Sequence, residues 1–224
     1  MDAITASLGG ADPTPPGPLP YADILNPQSL NKYVYAYNNP LRYNDPTGRW
    51  PSYVNDIHAR IIERAFPGLS ARQRQILKEA SRRVDSPSRG GQEAGNSYMH
   101  AMRFLGQPAE SAQQMTATFI KANEQQAQSL QASFEKGGGV GMSNQALDAF
   151  GTALHPITDN TTPSHEGTQV WDPHDEAGVA KHVANESTIS EEQMDRAVQA
   201  ARDAYKNTFG SERLDQATHK RKQW

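Results

Sequence analysis

The stretch from His155 to His165 constrains the fold of this chain most strongly, because it carries three potential metal ligands. His155 and Asp159 are four residues apart and would share one face of a helix. Pro163 predicts the end of that helix, since proline lacks the N–H that a continuing helix needs. His165 would then return from the following turn. The stretch therefore predicts a cation site with ligands on two sides.

Composition narrows the choice of metal and of partner. The chain has 224 residues, and a hydrophobic content of 36% with a mean hydropathy of −0.77 is typical of a soluble protein with a rather polar core. No apolar run approaches the length of a membrane span. A net charge of −3 indicates no general attraction to nucleic acid, and the short basic run 219–222 is expected to be a solvated end. Because the chain has no cysteine, a transition-metal site must use histidines and carboxylates, which suits zinc.

The first 30 residues are rich in proline and glycine, which predicts an extended segment. Residues 1–10 lack the basic start and apolar centre of a signal peptide, so we expect any export to use another route. Residues 26–48 alternate aromatic and aliphatic side chains and then carry turn formers, which predicts one strand and a tight corner. They read NPQSLNKYVYAYNNPLRYNDPTG.

This segment, about residues 20–48, resembles the closing part of an Rhs-repeat (YD-repeat) associated core. The resemblance implies a cage of β-strands in the parent protein, with a variable toxin cut free just after the signature. Here the toxin would span residues 50–224, and residues 1–49 would be a core remnant with little regular structure. The segment departs from the Rhs pattern in two ways. Arg49 stands where leucine is usual, and the cage that would supply the cutting aspartates is missing. We therefore expect no self-cleavage. The cleavage signature comprises Pro40, Asp45, Pro46, Gly48, Arg49 and Trp50.

From Trp50 onward the apolar residues recur with helical spacing, and no segment alternates as a strand would. Ser70, Ser143 and Ser190 each precede such a pattern and are expected to cap helices. We therefore predict an all-α domain. Its expected helices cover residues 54–66, 71–85, 92–105, 108–136, 144 into the stretch from His155 to His165, 176–186 and 191–205.

Most ligand-type residues fall on those helices or at their ends. His58 lies on the first, Asp85 ends the second and His100 lies on the third, while His182 and Glu186 form another pair four residues apart. One such pair is more often a solvated hydrogen-bonded pair than a metal site. Two pairs, together with the Pro163-x-His165 sequence, favour a metal site.

The spacing His155-x3-Asp159-x3-Pro163-x-His165, with Thr158 before the aspartate, resembles the signature of bacterial zinc-dependent phospholipases C. His182-x3-Glu186 resembles their downstream pair, and the resemblance covers about residues 50–205. It implies an all-helical zinc phospholipase C-like fold in which nine positions bind three zinc ions. The implied ligands here are Trp50, His58, Asp85, His100, His155, Asp159, His165, His182 and Glu186.

The resemblance also implies which ligands bind each of the three zinc ions. One zinc would be held by His100, His155 and Asp159, a second by His165, His182 and Glu186, and the third by Trp50, His58 and Asp85. Asp85 would also orient or deprotonate the attacking water and is the candidate catalytic residue.

Several residues depart from the pattern or compete for a position in it. Pro156 stands where the family favours tyrosine and is expected to kink the helix, and Asn160 replaces an apolar residue. Asp56 is a competitor for the role of Asp85. His174 is a competitor for the role of His182.

Trp50 connects the two resemblances. In the zinc phospholipases a free N-terminal tryptophan chelates zinc through its amine and carbonyl, whereas an amide nitrogen has no available lone pair. We therefore hypothesise that a cut between Arg49 and Trp50 releases the toxin and completes its metal site. The alternative is that Trp50 is a core aromatic following a loop.

Three functions remain open from the sequence. The first is a phospholipase C-like toxin that acts on choline or ethanolamine phospholipids, touching the membrane through loops 137–142 or 166–173. The second is a zinc nuclease of the same fold; such nucleases typically end in His-x3-Asp, so Glu186 favours the lipase. The third is a metal-free interaction module. The toxin reading implies delivery by a specialised secretion system, a parent Rhs cage and a cognate immunity protein.

Overall fold

The computed structural model describes residues 43–44, 52–53, 56–86, 89–186 and 189–219. The chain divides into two compact units, residues 1–54 and 55–224. In the first unit, the short strands β1 (Tyr43–Asn44) and β2 (Ser52–Tyr53) pair in antiparallel fashion, with Tyr43 opposite Tyr53. Trp50, the remaining signature residues and the strand predicted before Pro40 lie outside the described residues.

The second unit is all-α, as the sequence predicts. None of the helices in its described part is long and apolar enough to cross a membrane. In chain order the elements are α1 (Ile57–Ala65), α2 (Ala71–Val84), a 3-10 helix (Ala94–His100), β3 (Arg103–Phe104), α3 (Ala109–Lys136), α4 (Asn144–Asp159), β4 (Val170–Trp171), α5 (Glu176–Glu186), α6 (Glu191–Phe209) and α7 (Ser211–Thr218).

The predicted helix starts are confirmed by their caps. The Ser70 and Ser190 side chains each accept a hydrogen bond from a backbone N–H in the first turn, and a glutamine three residues on returns the bond. The Ser143 side chain caps α4 in the same way, without the returned bond. These caps fix where α2, α4 and α6 begin.

The core is built around α4, which contacts α2, α3 and α6. Phe150 on α4 packs edge-on against Tyr205 and Phe209 of α6, with ring centroids 5.5 and 5.4 Å apart. Phe66, after α1, completes the aromatic cluster, 5.0 Å from Tyr205. Because α4 is buried on several sides, polar residues on it must find partners inside the protein.

Gly151 lets α4 lie close to α2. A Cβ at this position would be 2.6 Å from the Cβ of Ala80 and 2.9 Å from the carbonyl oxygen of Leu77. The close approach places the second half of α2 beside the second half of α4. It is this part of each helix that carries ligand-type residues.

Several predicted boundaries were wrong. The third helix is a short 3-10 helix that stops at His100, because Ala101 adopts a left-handed conformation with φ 55°. Pro163 does not end α4; the helix stops at Asp159, and Thr162 caps the Asp159 carbonyl. Pro156, where the sequence predicts a kink, lies inside α4.

Three further elements, α7, β3 and β4, escaped prediction. Helix α6 runs to Phe209, and α7 follows it, since Gly210 turns the chain at φ 92° between them. Strands β3 and β4 pair in parallel, with Phe104 opposite Trp171, inside segments that were expected to be helix and loop. This pairing ties the chain after His100 to the chain after His165.

Candidate metal centre

Four elements bring the predicted ligands to one buried face of α4. His155 and Asp159 are 1% and 2% exposed and lie one turn apart on that helix. His58 comes from the first turn of α1, Asp85 is the residue after α2, and His100 ends the 3-10 helix. Residues spread over a hundred positions of sequence thus form one cluster.

The Nε2 atom of His155 belongs to a group of four potential ligand atoms. It is 3.0 Å from Nδ1 of His100, 3.2 Å from Oδ2 of Asp159 and 3.4 Å from Oδ1 of Asp85. The His100 Nδ1 atom lies 3.6 Å from each of these carboxylate oxygens. Zinc bonded tetrahedrally at about 2.0–2.1 Å holds its ligand atoms about 3.3–3.4 Å apart. The spacings that join each carboxylate oxygen to the two imidazole nitrogens fit such a site. Asp85, His100 and His155 form one potential metal-binding group, and His58, His155 and Asp159 form another.

Asp159 faces a second group through its other oxygen. Its Oδ1 atom lies 3.2 Å from Nε2 of His58, whereas its Oδ2 atom faces His100 and His155. The rings of His58 and His155 are 4.3 Å apart. One carboxylate can therefore serve two cations side by side. The resemblance assigned Asp85 to the ion of His58, but Asp85 lies with His100 and His155, and Asp159 connects the two groups.

Backbone carbonyls fix the outer nitrogens of two imidazoles. His100 Nε2 lies 2.9 Å from the Gly91 carbonyl oxygen, and His165 Nδ1 hydrogen-bonds the His100 carbonyl. Since a carbonyl only accepts, each of these nitrogens carries the proton. Position 91 requires glycine, because a Cβ there would lie 1.9 Å from the Val84 carbonyl oxygen at the end of α2. The remaining nitrogen of His100 is left as a ligand atom pointing at the carboxylates.

Hydroxyl groups hold the outer nitrogens of the other two imidazoles. His58 Nδ1 lies 3.0 Å from Thr158 Oγ1, and His155 Nδ1 lies 3.1 Å from Ser81 Oγ. Metal-bound histidines usually have their second ring nitrogen hydrogen-bonded in this manner, which sets the tautomer and the ring orientation. The cluster therefore has the supporting contacts of a metal site as well as its ligands.

One carboxylate oxygen of Asp159 lacks a hydrogen bond among the described residues. Its Oδ2 atom is buried and, among the described residues, has no hydrogen bond of acceptable geometry, although three imidazoles lie within 4.0 Å. A buried carboxylate oxygen left in this state is costly. A cation at the centre of the group would satisfy it, so the residues present fit zinc.

The charged groups of the cluster shift one another's pKa values. Burial favours neutral His155, but Asp159 and Asp85 outweigh it and raise the pKa of His155 well above 6.5. Burial likewise opposes a charged Asp159, yet the neighbouring imidazoles hold its pKa well below 3.8. The pKa of Asp85 is lowered for the same reason. Without metal, the cluster binds protons that a metal ion would displace.

The remaining predicted ligands are partly described. His165 is buried, and its ring centroid is 4.8 Å from that of His182, which lies 5.2 Å from the Trp171 ring. His165 and His182 therefore meet, as a shared ion would require. The side chain of Glu186 and the whole of Trp50 lie outside the described part of the chain.

Asp56 and His174, the two competing residues, make other contacts in the structure. Asp56 caps α1, where its Oδ1 accepts from the Ala59 N–H, and its Oδ2 pairs with Arg82 at 2.6 Å. His174 is exposed, and its backbone N–H bonds to the Asp172 side chain. The geometry thus places Asp85 and His182, rather than these two, beside the other candidate ligands.

Sequence reasoning missed the supporting residues Ser81 and Trp171. Ser81 is 1% exposed and lies on the core face of α2 between Ala80 and Val84. A hydroxyl inside an apolar helical stripe was the available signal, because a buried hydroxyl needs a partner. Trp171 gave no such signal, since its contact with His182 depends on the pairing of β3 with β4.

Comparisons with known proteins do not place this chain in a family. No family model matches the chain, and neither a curated protein nor a solved structure does.

Proposed function

We propose that the helical unit is a zinc-dependent hydrolase of phosphodiester bonds that acts on phospholipids. The observation that carries this proposal is the pair of nitrogens His155 Nε2 and His100 Nδ1, 3.0 Å apart, with carboxylate oxygens of Asp85 and Asp159 at 3.2 to 3.6 Å from them. Structural zinc sites are usually closed by four protein ligands, but here a second ligand group adjoins the first through Asp159. Adjacent cations are characteristic of phosphodiester hydrolysis.

In this proposal all nine implied ligands hold zinc. The group around His155 holds one ion, Asp159 and His58 hold the neighbouring ion with the amine of Trp50, and His165, His182 and Glu186 hold another. Of these contacts, the last set and the Trp50 amine are carried by the sequence resemblance.

In this proposal Asp85 is the catalytic base. When bound, zinc supplies Lewis acidity and lowers the pKa of a coordinated water to about 7. The Asp85 side chain is 42% exposed, while those of His155 and Asp159 are 1% and 3% exposed. Asp85 is therefore the member of this group that solvent and substrate reach, and its carboxylate can orient water and accept a proton from it.

Exposed apolar side chains that lie close in sequence to candidate ligands support a lipid substrate. Phe104 and Leu105 follow His100 by a few residues, and Val170 follows His165. Their relative exposures are 38%, 72% and 38%. Apolar side chains at the surface near a reaction centre can enter the boundary between head groups and acyl chains.

The proposal includes release from an Rhs-type parent. A cut between Arg49 and Trp50 would free the amine that completes the metal site. Strands β1 and β2 lie on either side of this bond in sequence, at Tyr43–Asn44 and Ser52–Tyr53. The unit would be delivered into a target cell by a specialised secretion system and neutralised in the producing cell by an immunity protein.

The test uses a chain that begins at Trp50, loaded with zinc and assayed on phosphatidylcholine vesicles and on single-stranded DNA. We expect lipid hydrolysis, its loss in His155→Ala, and full activity in His174→Ala, which changes an exposed histidine outside the cluster. Cleavage of DNA alone would assign the zinc nuclease function. Absence of both zinc binding and hydrolysis would leave the metal-free interaction module.

A further inference from the structure

Thr158 makes one contact that its helix does not explain. Its hydroxyl lies 3.0 Å from the carbonyl oxygens of Leu154 and His155, which is ordinary back-bonding of a threonine within a helix. It also lies 3.0 Å from Nδ1 of His58, a residue 100 positions earlier on α1. Thr158 is 2% exposed, so this contact is shielded from water.

The hydrogen-bonding capacity of the hydroxyl sets the state of His58. A hydroxyl has one proton to donate, and the carbonyl oxygens of Leu154 and His155 can only accept. With its proton directed to the helix, Thr158 Oγ1 accepts from Nδ1–H of His58. The Nε2 atom of His58, 3.2 Å from Oδ1 of Asp159, is then the nitrogen available to a metal.

We propose that Thr158 is a positioning residue, which fixes His58 with Nδ1 protonated and Nε2 presented to the ion that Asp159 would share. This role rests on the zinc site of the proposed function. Thr158 acts through His58, since its own hydroxyl is occupied by the helix carbonyls and by Nδ1 of His58.

The experiment is a calorimetric titration of the metal-free full chain with zinc, in the wild type and three variants. Thr158→Val removes the hydroxyl at nearly constant volume, and Thr158→Ser retains it. Thr208→Val is the matched control, because Thr208 is 7% exposed and back-bonds the Ala204 carbonyl at 2.8 Å on α6. The control thus removes the same helical bond without touching His58.

We expect Thr158→Val to weaken one class of zinc sites about 10–100-fold, the usual effect of losing an outer partner of a metal-bound histidine. Thr158→Ser and Thr208→Val should bind zinc like the wild type. Nitrogen chemical shifts of the His58 ring should report protonated Nδ1 in zinc-loaded wild type and in Thr158→Ser. In metal-free Thr158→Val they should report a mixture of tautomers.

Each alternative outcome has its own meaning. Unchanged zinc affinity in Thr158→Val, or equal losses in Thr158→Val and Thr208→Val, would overturn the role of Thr158. A wild-type chain that begins at Trp50 and binds zinc but hydrolyses no phosphodiester would overturn the proposed function and leave the role of Thr158 intact. Wild-type protein that binds no zinc would overturn both.

Discussion

Nδ1 of His100 and Nε2 of His155 lie 3.0 Å apart inside the protein. His100 uses its other ring nitrogen to bond the Gly91 carbonyl, so its facing nitrogen carries a lone pair when the ring is neutral. Two neutral rings with facing lone pairs would repel each other. Either a proton or a metal ion between the nitrogens removes that repulsion, so protons and metal ions compete for this position.

The metal-free protein should become less stable as the pH rises above about 6.5. The pKa of His155 is raised above its ordinary 6.5, mainly by Asp159 and Asp85 against the effect of burial. The stabilisation that the bound proton supplies is complete below the ordinary pKa and is lost as the pH rises through the raised pKa. Thermal unfolding with a chelator, from about pH 6 to about pH 9, should show a falling Tm. Saturating zinc should reduce this fall, because metal replaces the proton; a metal-free Tm that rises over this range would contradict the argument.

Asp85→Asn should reduce hydrolysis much more than it reduces folding stability. Loss of a positioned general base typically costs about 10²–10⁴-fold in rate. The matched control is Asp148→Asn, since Asp148 is similarly exposed (46% against 42%) but pairs with Arg83 away from the cluster. Turnover of phosphatidylcholine at saturating zinc is the measurement. Equal activity in the two variants would remove Asp85 from the mechanism.

Gly151→Ala should destabilise the helical unit by about 1–3 kcal/mol, the usual cost of an overpacked core. The added Cβ would meet Ala80 on α2 at 2.6 Å, so the two helices that carry Ser81 and His155 would be forced apart. Gly137→Ala is the control, because its nearest neighbours would be at 3.4 and 3.5 Å and its φ is −79°. Urea unfolding measures both; an unchanged midpoint in Gly151→Ala would show that α2 and α4 are not packed this closely.

Tyr205→Phe should raise the free energy of unfolding by on the order of 1 kcal/mol. The Tyr205 hydroxyl is buried and has no hydrogen-bond partner among the described residues, and burial raises the pKa of Tyr205 well above its usual value. Removing the hydroxyl keeps the ring packing with Phe66 and Phe150. Tyr98→Phe, at a partly exposed ring, is the comparison and should change little. A destabilised Tyr205→Phe would mean that the hydroxyl has a partner.

Local signals in the sequence predicted most of the helices. Ser70, Ser143 and Ser190 mark helix starts because their side chains bond groups within three residues. The 3-10 helix and β3 were not predictable in this way. They depend on the left-handed turn at Ala101 and on pairing with β4, which lies more than sixty residues further along the chain.

The spacing of His155 and Asp159 was enough to predict that they share a helix face, because helical geometry fixes it. The sequence could not decide between Asp56 and Asp85, since both stand at helix ends. Packing of α2 against α4 brings Oδ1 of Asp85 to 3.4 Å from Nε2 of His155, whereas Asp56 pairs with Arg82. The same packing brings Ser81 to His155. Sequence spacing could not predict this contact, because the two residues lie on different helices.

The central claim is that zinc binds among His100, His155, Asp159 and Asp85. Anomalous diffraction at the zinc absorption edge, from crystals of the zinc-loaded chain, tests it most directly. We expect a peak with Nδ1 of His100, Nε2 of His155, Oδ2 of Asp159 and Oδ1 of Asp85 all at about 2.0–2.2 Å. A second peak should lie beside Nε2 of His58. A crystal with no zinc at this cluster would contradict the proposed site.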